Sequence, residues 1–372
     1  MKFIDKLLCF VLSVLLLGLA LTGCTEEEAV EEKSEEQAEI VLITDYGTIN
    51  DGSYNQGAWE GISTYCEESG VSSNYFQPED TDKDSYLKEI KKAADNGAKI
   101  IVCNGYMTEE AIFEAQNKYS DINFILLDGI PHNEDYSDTT IAPNVMAISF
   151  AEEQAGFLAG YSAVREGNTG LGFMGGKPAE SVIRYGYGFV QGADYAAIEM
   201  GVDVHVRYIY TDTFSEDGVV EEMAGAWFND DTQVIFACGG EMGRSVMRAA
   251  ERCSGKVIGV DVDQSSESET VITSAVKCLD KAVYDGISSV YAGTFAGGDV
   301  TVLTAAEEAV KLPMETSRFE KFDNDAYERL YTHLVDGLIY PYDGTDVGTT
   351  QELNLVNTEV SYIMMDDVKA GR

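Results

Sequence analysis

The sequence predicts an α/β protein built on parallel sheets. Two observations carry the prediction: short, uninterrupted apolar runs recur along the body of the chain, and amphipathic stretches of about a dozen residues separate them. A strand buried on both faces reads as continuous apolar sequence, whereas the helix that returns over the sheet shows an apolar stripe, so this alternation marks a doubly wound architecture. The first run is residues 40–44, followed by a helical pattern over 56–68. Helical periodicity over 85–96 then leads into a run at 99–103, and periodicity over 109–119 into a run at 124–127. Further along, predicted helices at 152–164, 188–200, 218–228 and 244–253 alternate with predicted strands at 170–174, 204–208, 234–237 and 257–260.

Upstream of this body, residues 1–23 begin with the cations Lys2 and Lys6 and continue in an apolar core over 7–21, too short to span a bilayer stably. The core ends in Leu21-Thr22-Gly23-Cys24, the lipobox pattern of bacterial lipoprotein processing, in which the cysteine thiol takes a diacylglyceryl group before cleavage exposes its amine. Residues 1–23 are therefore expected to be a lipoprotein signal peptide, and Cys24 the lipid-bearing start of the mature chain. Residues 24–37 hold Glu26, Glu27, Glu28, Glu31, Glu32, Glu35 and Glu36 against the single base Lys33, and cannot bury enough apolar surface to fold. They read as an acidic tether of roughly 20 Å reach. The expected location is the extracytoplasmic face of the cell membrane, anchored by lipid.

The formal charge of the 372-residue chain is -40. Loss of residues 1–23, with two lysines and one aspartate, would move it to -41. Such acidity excludes nucleic acid as a partner. The remaining body is too long for one ordinary core and fits two lobes. Without Cys9 and Cys24 the cysteines are Cys66, Cys103, Cys238, Cys253 and Cys278, an odd set with no C-x-x-C spacing, so neither a disulfide framework nor a zinc site is read from them. His132, His205 and His333 are scattered, with no second ligand at helical spacing. No metal and no cofactor is expected.

Polar residues gather directly after the predicted strands, where the carboxyl ends of parallel strands open toward a crevice. Asp45, Asn104, Asp128, Gly239-Gly240 and Asp261 each follow one of the runs. One such aspartate is ordinary, but three on lobes that face each other suggest a ligand cleft. Two other motifs are rejected. Gly170, Gly172 and Gly175 spell G-x-G-x-x-G but lie within a predicted strand rather than in a turn opening a helix, so they do not make a dinucleotide site. The Gly239–Ser245 stretch looks like a phosphate loop but lacks its lysine and places Glu241 where an anion would lie.

The run from Asp45 to Gly57, Asp-Tyr-Gly-Thr-Ile-Asn-Asp-Gly-Ser-Tyr-Asn-Gln-Gly, resembles the D-x-G-x-x-D-x-S-F-N opening of the basic membrane lipoprotein family, purine nucleoside receptor type. Phe150-Ala151-Glu152-Glu153-Gln154-Ala155-Gly156-Phe157-Leu158-Ala159-Gly160 is similar to its F-x-E-x-Q-A-G-F-L-A-G helix. Gly175-Gly176, Gly188-Phe189 with Gly192, Gly259-Val260-Asp261-Val262-Asp263-Gln264 and Val271-Ile272-Thr273-Ser274-Ala275-Val276-Lys277 follow in the family's order. The resemblance implies two Rossmann-like lobes with parallel sheets joined by a three-stranded hinge, the type I periplasmic-binding-protein-like fold. Because the chain would cross that hinge three times, the N-terminal lobe is expected at 38–145 plus 276–298 and the C-terminal lobe at 146–275 plus 299–341. Residues 342–372 read as a C-terminal extension of unclear role.

The resemblance also implies site residues. Tyr54 and Phe214 would sandwich a purine, with Asp45 and Asn55 near its edge; Asp128, Asp261 and Lys277 would hold ribose hydroxyls, and the Gly239-Gly240 backbone would line the pocket. Stacking contributes about 1–3 kcal/mol per base and discriminates little, so selectivity must come from the edge and the sugar. Tyr54 stands where the family typically has phenylalanine, and a buried hydroxyl needs a partner, so either the pocket is wetter or the hydroxyl reaches the ligand. The implied function is a monomeric, lipid-anchored substrate-binding protein that captures a nucleoside and delivers it to a membrane permease driven by its ATPase, with no chemistry performed. A sugar or autoinducer binder of the same fold and a sensor docking on a membrane receptor are the rival readings. A nucleoside hydrolase is disfavoured, because the sequence shows no clustered metal-binding aspartates near its start and no paired catalytic histidine.

Overall fold

The computed structural model describes residues 37–45, 47–344 and 350–369. The expected signal peptide, Cys24, the tether up to residue 36, and Tyr46 lie outside these residues. The body opens with β1 (Ile40–Ile43), α1 (Tyr54–Ser69), β2 (Ser73–Phe76), α2 (Lys83–Asp95), β3 (Ile100–Asn104), α3 (Glu109–Lys118), β4 (Asn123–Leu127) and β5 (Val145–Phe150). It continues with α4 (Glu152–Arg165), β6 (Gly170–Gly175), α5 (Glu180–Met200), β7 (Val204–Tyr210), α6 (Gly218–Phe228), β8 (Val234–Cys238), α7 (Met242–Cys253), β9 (Lys256–Asp261) and β10 (Val271–Lys277). The last elements are α8 (Leu279–Ala292), β11 (Val300–Leu303), β12 (Val310–Lys311), α9 (Asn324–Val335), β13 (Thr358–Tyr362) and α10 (Met365–Lys369).

Among the described residues the strands form two sheets. One runs β11-β5-β4-β3-β1-β2 with every pairing parallel. The other runs β12-β10-β9-β8-β6-β7-β13 and is parallel except where β12 pairs with β10. Both faces of the central strands are covered, so β1, β3, β8 and β10 are buried at every residue. Each fully buried Ile, Leu or Val there contributes about 1.5–3 kcal/mol. In both sheets the strand order reverses once, between β1 and β3 in the first and between β6 and β8 in the second. A crevice opens at such a switch point outside the carboxyl ends of the strands, and here two crevices form a common cleft. The chain passes between the sheets three times, from β5 into α4, from β10 into α8 and from β11 into β12.

Helices α4 and α5 pack backbone against backbone, which sets the position of two charged residues of the cleft. A Cβ on Gly160 would lie 1.9 Å from the Phe189 carbonyl oxygen, and one on Gly188 would lie 2.0 Å from that of Glu153. Only hydrogen fits at these crossings. A Gly160→Ala substitution is expected to destabilise the protein at or beyond the upper end of the roughly 1–3 kcal/mol typical of overpacking, because the obstacle is backbone. Urea unfolding followed by circular dichroism checks this; a loss below about 0.5 kcal/mol would contradict such close packing.

The structure departs from the sequence expectations in several places. Helix α5 begins eight residues earlier than the pattern at 188–200 suggests, and its Gly186 and Gly188 serve the close packing with the Tyr208 side chain and with α4. Val300–Leu303 was expected with the C-terminal lobe, but β11 pairs parallel with β5, Val300 opposite Ala147, and so extends the first sheet. The segment after residue 342 has a structural role: β13 adds to the edge of the second sheet beside β7, Thr358 opposite Val204. The Asp194 carboxylate secures it by accepting from the Val356 N–H at 3.0 Å and the Asn357 N–H at 2.7 Å.

Candidate ligand-binding site

All nine ligand-site residues expected from the sequence line one cavity of about 580 Å³ at the carboxyl ends of the two sheets. A larger hollow of about 1110 Å³ lies elsewhere, at the amino ends of β6 to β9 and β13. The smaller cavity falls at the switch points and is lined by the charged residues Asp128, Asp261 and Lys277.

From the first sheet, β1 delivers Asp45, the start of α1 delivers Tyr54 and Asn55, and β4 delivers Asp128. Asp51 organises this corner. Its carboxylate accepts from the backbone N–H groups of Ser53 (2.8 Å), Asn55 (2.9 Å) and Gln56 (3.1 Å), fastening the first turn of α1. Burial nevertheless pushes its carboxyl up to about 6. Asn55 lines the cavity, but the protein uses its whole amide. Nδ2 donates to Asp45 Oδ1 (2.7 Å) and Asp51 Oδ2 (2.9 Å), while Oδ1 accepts from Asn104 Nδ2 (3.0 Å) and the Asp45 N–H (3.2 Å). In place of the expected contact with a ligand edge, Asn55 therefore holds Asp45.

The Tyr54 hydroxyl also differs from both expectations. It donates to the Leu127 carbonyl oxygen at 3.1 Å, so neither water nor ligand is needed to satisfy it. Burial, followed by the nearby Asp128 and Asp45, holds that phenol well above its usual range and keeps it a neutral donor. The Lys277 ammonium lies 4.7 Å from the centre of the Tyr54 ring, a cation–π distance.

From the second sheet come Phe214 after β7, Gly239-Gly240 after β8, Asp261 at the end of β9 and Lys277 at the end of β10. The Phe214 ring lies against the backbone of Gly176, where a Cβ would stand 2.4 Å from it. Asp128 and Asp261 close their strands in the left-handed region, with φ of 50° and 66°. That conformation is strained for residues other than glycine, and aspartate tolerates it better than most.

Lys277 ties these elements together. It is 3% exposed, and its ammonium is hydrogen-bonded to Asp128 Oδ2 and to Glu152 Oε1 (3.3 Å), with Asp261 Oδ1 at 3.6 Å. Burial alone would lower its pKa, but Asp128, Glu152 and Asp261 outweigh burial and hold the amine well above its usual range. The lysine balances the acidic cluster, and two of its three N–H groups donate to Asp128 and Glu152. Asp128 Oδ1, in contrast, is buried and has no hydrogen-bond partner. Burial raises the Asp128 carboxyl to about 6 although Lys277 pulls the other way.

Sequence reasoning missed Ser53, Tyr185, Glu152 and Arg184. Ser53 Oγ donates to Asp261 Oδ2 at 2.6 Å, and Gln264 Nε2 donates to the Gly52 carbonyl oxygen at 2.8 Å, so the two halves touch along one flank of the cleft. The Tyr185 hydroxyl donates to the Ala275 carbonyl oxygen at 3.3 Å. Glu152 was visible only as part of the helix motif and Arg184 not at all. Among the described residues no cluster of His, Cys, Asp and Glu is arranged to hold a metal ion, and no helix is long and apolar enough to cross a membrane.

Two mainly parallel sheets linked by three chain crossings, with a cavity lined by charged and aromatic side chains at their facing carboxyl ends, define a solute-binding protein of the type I periplasmic kind. The model of the Bmp family, described as PnrA-like ABC transporter substrate-binding proteins, matches residues 38–332, and the chain belongs to this family. It is accordingly a substrate-binding component of an ABC transporter rather than an enzyme. Its relatives include the ABC transporter nucleoside-binding protein BmpA of Lactococcus lactis, 26% identical over 86% of this chain and 93% of the relative. Basic membrane protein D of Borreliella burgdorferi is 28% identical over 88% of this chain and 94% of its own. An ABC transporter solute-binding protein of Aeropyrum pernix shares the fold, with a TM-score of 0.73 at 20% identity over 89% of this chain and 97% of that one.

Proposed function

We propose that the cavity captures a nucleoside, with a purine preferred, and that the chain delivers it to a permease driven by its ATPase. The observation that carries this reading is the unpartnered, buried Asp128 Oδ1 in a cavity that Tyr54 and Phe214 also line. A ribose hydroxyl donating to that oxygen would satisfy it with a charge-assisted bond, roughly twice as strong as a neutral one. With Lys277 on the Tyr54 ring, a ligand base would stack on the face the lysine leaves open. A volume of about 580 Å³ suits a ligand of nucleoside size. The relative named for nucleoside binding supports the same class. In this reading the monomer is held to the extracytoplasmic face of the cell membrane by lipid on Cys24.

The test is isothermal titration calorimetry with guanosine, inosine and adenosine against galactose and xylulose. The nucleosides are expected to bind and the free sugars to give no heat; binding of the sugars alone would overturn the nucleoside reading. Because the acceptor must be ionised and its carboxyl sits at about 6, affinity should hold above pH 7 and fall as pH drops through about 6.

A further inference from the structure

We infer that Glu152, paired with Arg184, is a positioning residue that sets how Lys277 is shared among the cleft carboxylates, and thereby the state in which Asp128 meets its ligand. The inference rests on the nucleoside reading above and extends it to two residues that do not line the cavity.

The geometry is specific. Glu152 opens α4 immediately after the chain leaves β5, and Lys277 ends β10 immediately before the chain enters α8, so both stand at crossings between the sheets. Glu152 is fully buried. Its Oε2 accepts from Arg184 Nε at 2.6 Å and its Oε1 from Lys277 Nζ at 3.3 Å. Arg184 reaches back to Glu180 one turn earlier, at 3.3 Å. The close packing of α4 on α5 brings the Glu152 and Arg184 side chains together. A buried carboxylate is retained only where cations compensate it. Here burial would raise the Glu152 carboxyl, but Arg184 and Lys277 more than offset burial and hold it below its usual range.

The groups facing Asp128 come from every element around it. They are Lys277 of β10, Glu152 of α4, Arg184 and the neutral Tyr185 of α5, and the neutral Tyr54 of α1. Asp261 acts on the cluster through Lys277, Asp45 lies by Tyr54, and the Cys238 thiol, held protonated by burial, lies by Asp261. Two cations thus face three cleft carboxylates. Glu152 takes a second, longer hydrogen bond from the ammonium and repels the Asp128 charge, and Arg184 offsets that repulsion. Without Glu152 the ammonium keeps its hydrogen bond to Asp128 Oδ2 and has no second carboxylate to share its charge, so Asp128 holds its own charge to lower pH.

Titration calorimetry of guanosine from pH 5 to 8 tests this on the full mature chain. Wild type should lose affinity as pH falls through about 6. Glu152→Gln removes a negative charge facing Asp128, so the acid limb should move down by about one pH unit while affinity at pH 7.5 is kept within about twofold. Arg184→Gln should move the limb the other way, toward higher pH, because Glu152 is then less restrained. Opposite displacements support the assignment. A uniform loss of affinity with both limbs unmoved, or no change in either variant, would overturn it by showing a merely structural pair. If Glu152→Gln does not fold, the direction of the Arg184→Gln limb decides alone. Absence of guanosine binding in wild type would instead refute the nucleoside reading.

Discussion

Lys277→Met is expected to abolish measurable nucleoside binding and to destabilise the protein by about 3–5 kcal/mol at neutral pH, the usual cost of removing one partner from a buried ionic cluster. The ammonium is the shared counter-ion of Asp128, Glu152 and Asp261, and methionine fills a similar volume without charge. Packing loss is therefore small, and the effect is electrostatic. Asp128 and Glu152 would then have Arg184 as their remaining cation, and without the lysine that lowers both carboxyls their folded-state pKa values would rise above those of the unfolded chain. A group raised in this way favours the folded state at pH below its unfolded value, and that contribution disappears as pH climbs through the folded value. The deficit of Lys277→Met relative to wild type should accordingly shrink between pH 7.5 and pH 5. Urea titrations at the two pH values measure it; a deficit independent of pH would mean that Lys277 acts through packing.

Asp128→Asn should separate binding from stability. The amide keeps the shape and tolerates the left-handed backbone, where φ is 50°. Lys277 retains Glu152 and Asp261, so two cations would face two carboxylates and the cluster would be neutral. The apo protein should keep its stability within about 1 kcal/mol. Affinity should not survive. A charge-assisted bond to a hydroxyl contributes about 1.5–3 kcal/mol, and tenfold in affinity is about 1.4 kcal/mol, so losing the one at Oδ1 weakens nucleoside binding about 10- to 150-fold. Calorimetric titration beside thermal unfolding tests both halves. Unchanged affinity would remove Asp128 from the ligand's contacts.

These two residues show what the sequence made legible. Asp45, Asp128 and Asp261 are readable because each follows an apolar run, and a parallel strand buried on both faces produces such a run. The predicted central strands coincide with β1, β3, β4 and β6 to β9 within about two residues, the usual uncertainty of element ends. The edges are harder to read. β2, β11 and β13 are half-exposed, short and mixed in polarity, and their identity depends on the neighbour that pairs with them. β10 is fully buried but contains Thr273 and Ser274, whose hydroxyls pair with the Ser317 hydroxyl and the Gln264 N–H. Glu152 and Arg184 escaped because 32 residues separate them and only the glycine-to-backbone crossing of α4 and α5 makes them neighbours. Asn55 shows the converse. Its motif position is informative, but its hydrogen bonds, which turn it from a ligand group into a support for Asp45, are visible only in three dimensions.

A crystal structure of the guanosine complex is the most direct test of the central claim, that an acceptor buried at the junction of two sheets is completed by the sugar of a flat ligand. The account predicts a ribose hydroxyl within about 3 Å of Asp128 Oδ1 and the base against Tyr54 or Phe214. Guanosine bound elsewhere, or bound with that oxygen still unpartnered, would contradict it.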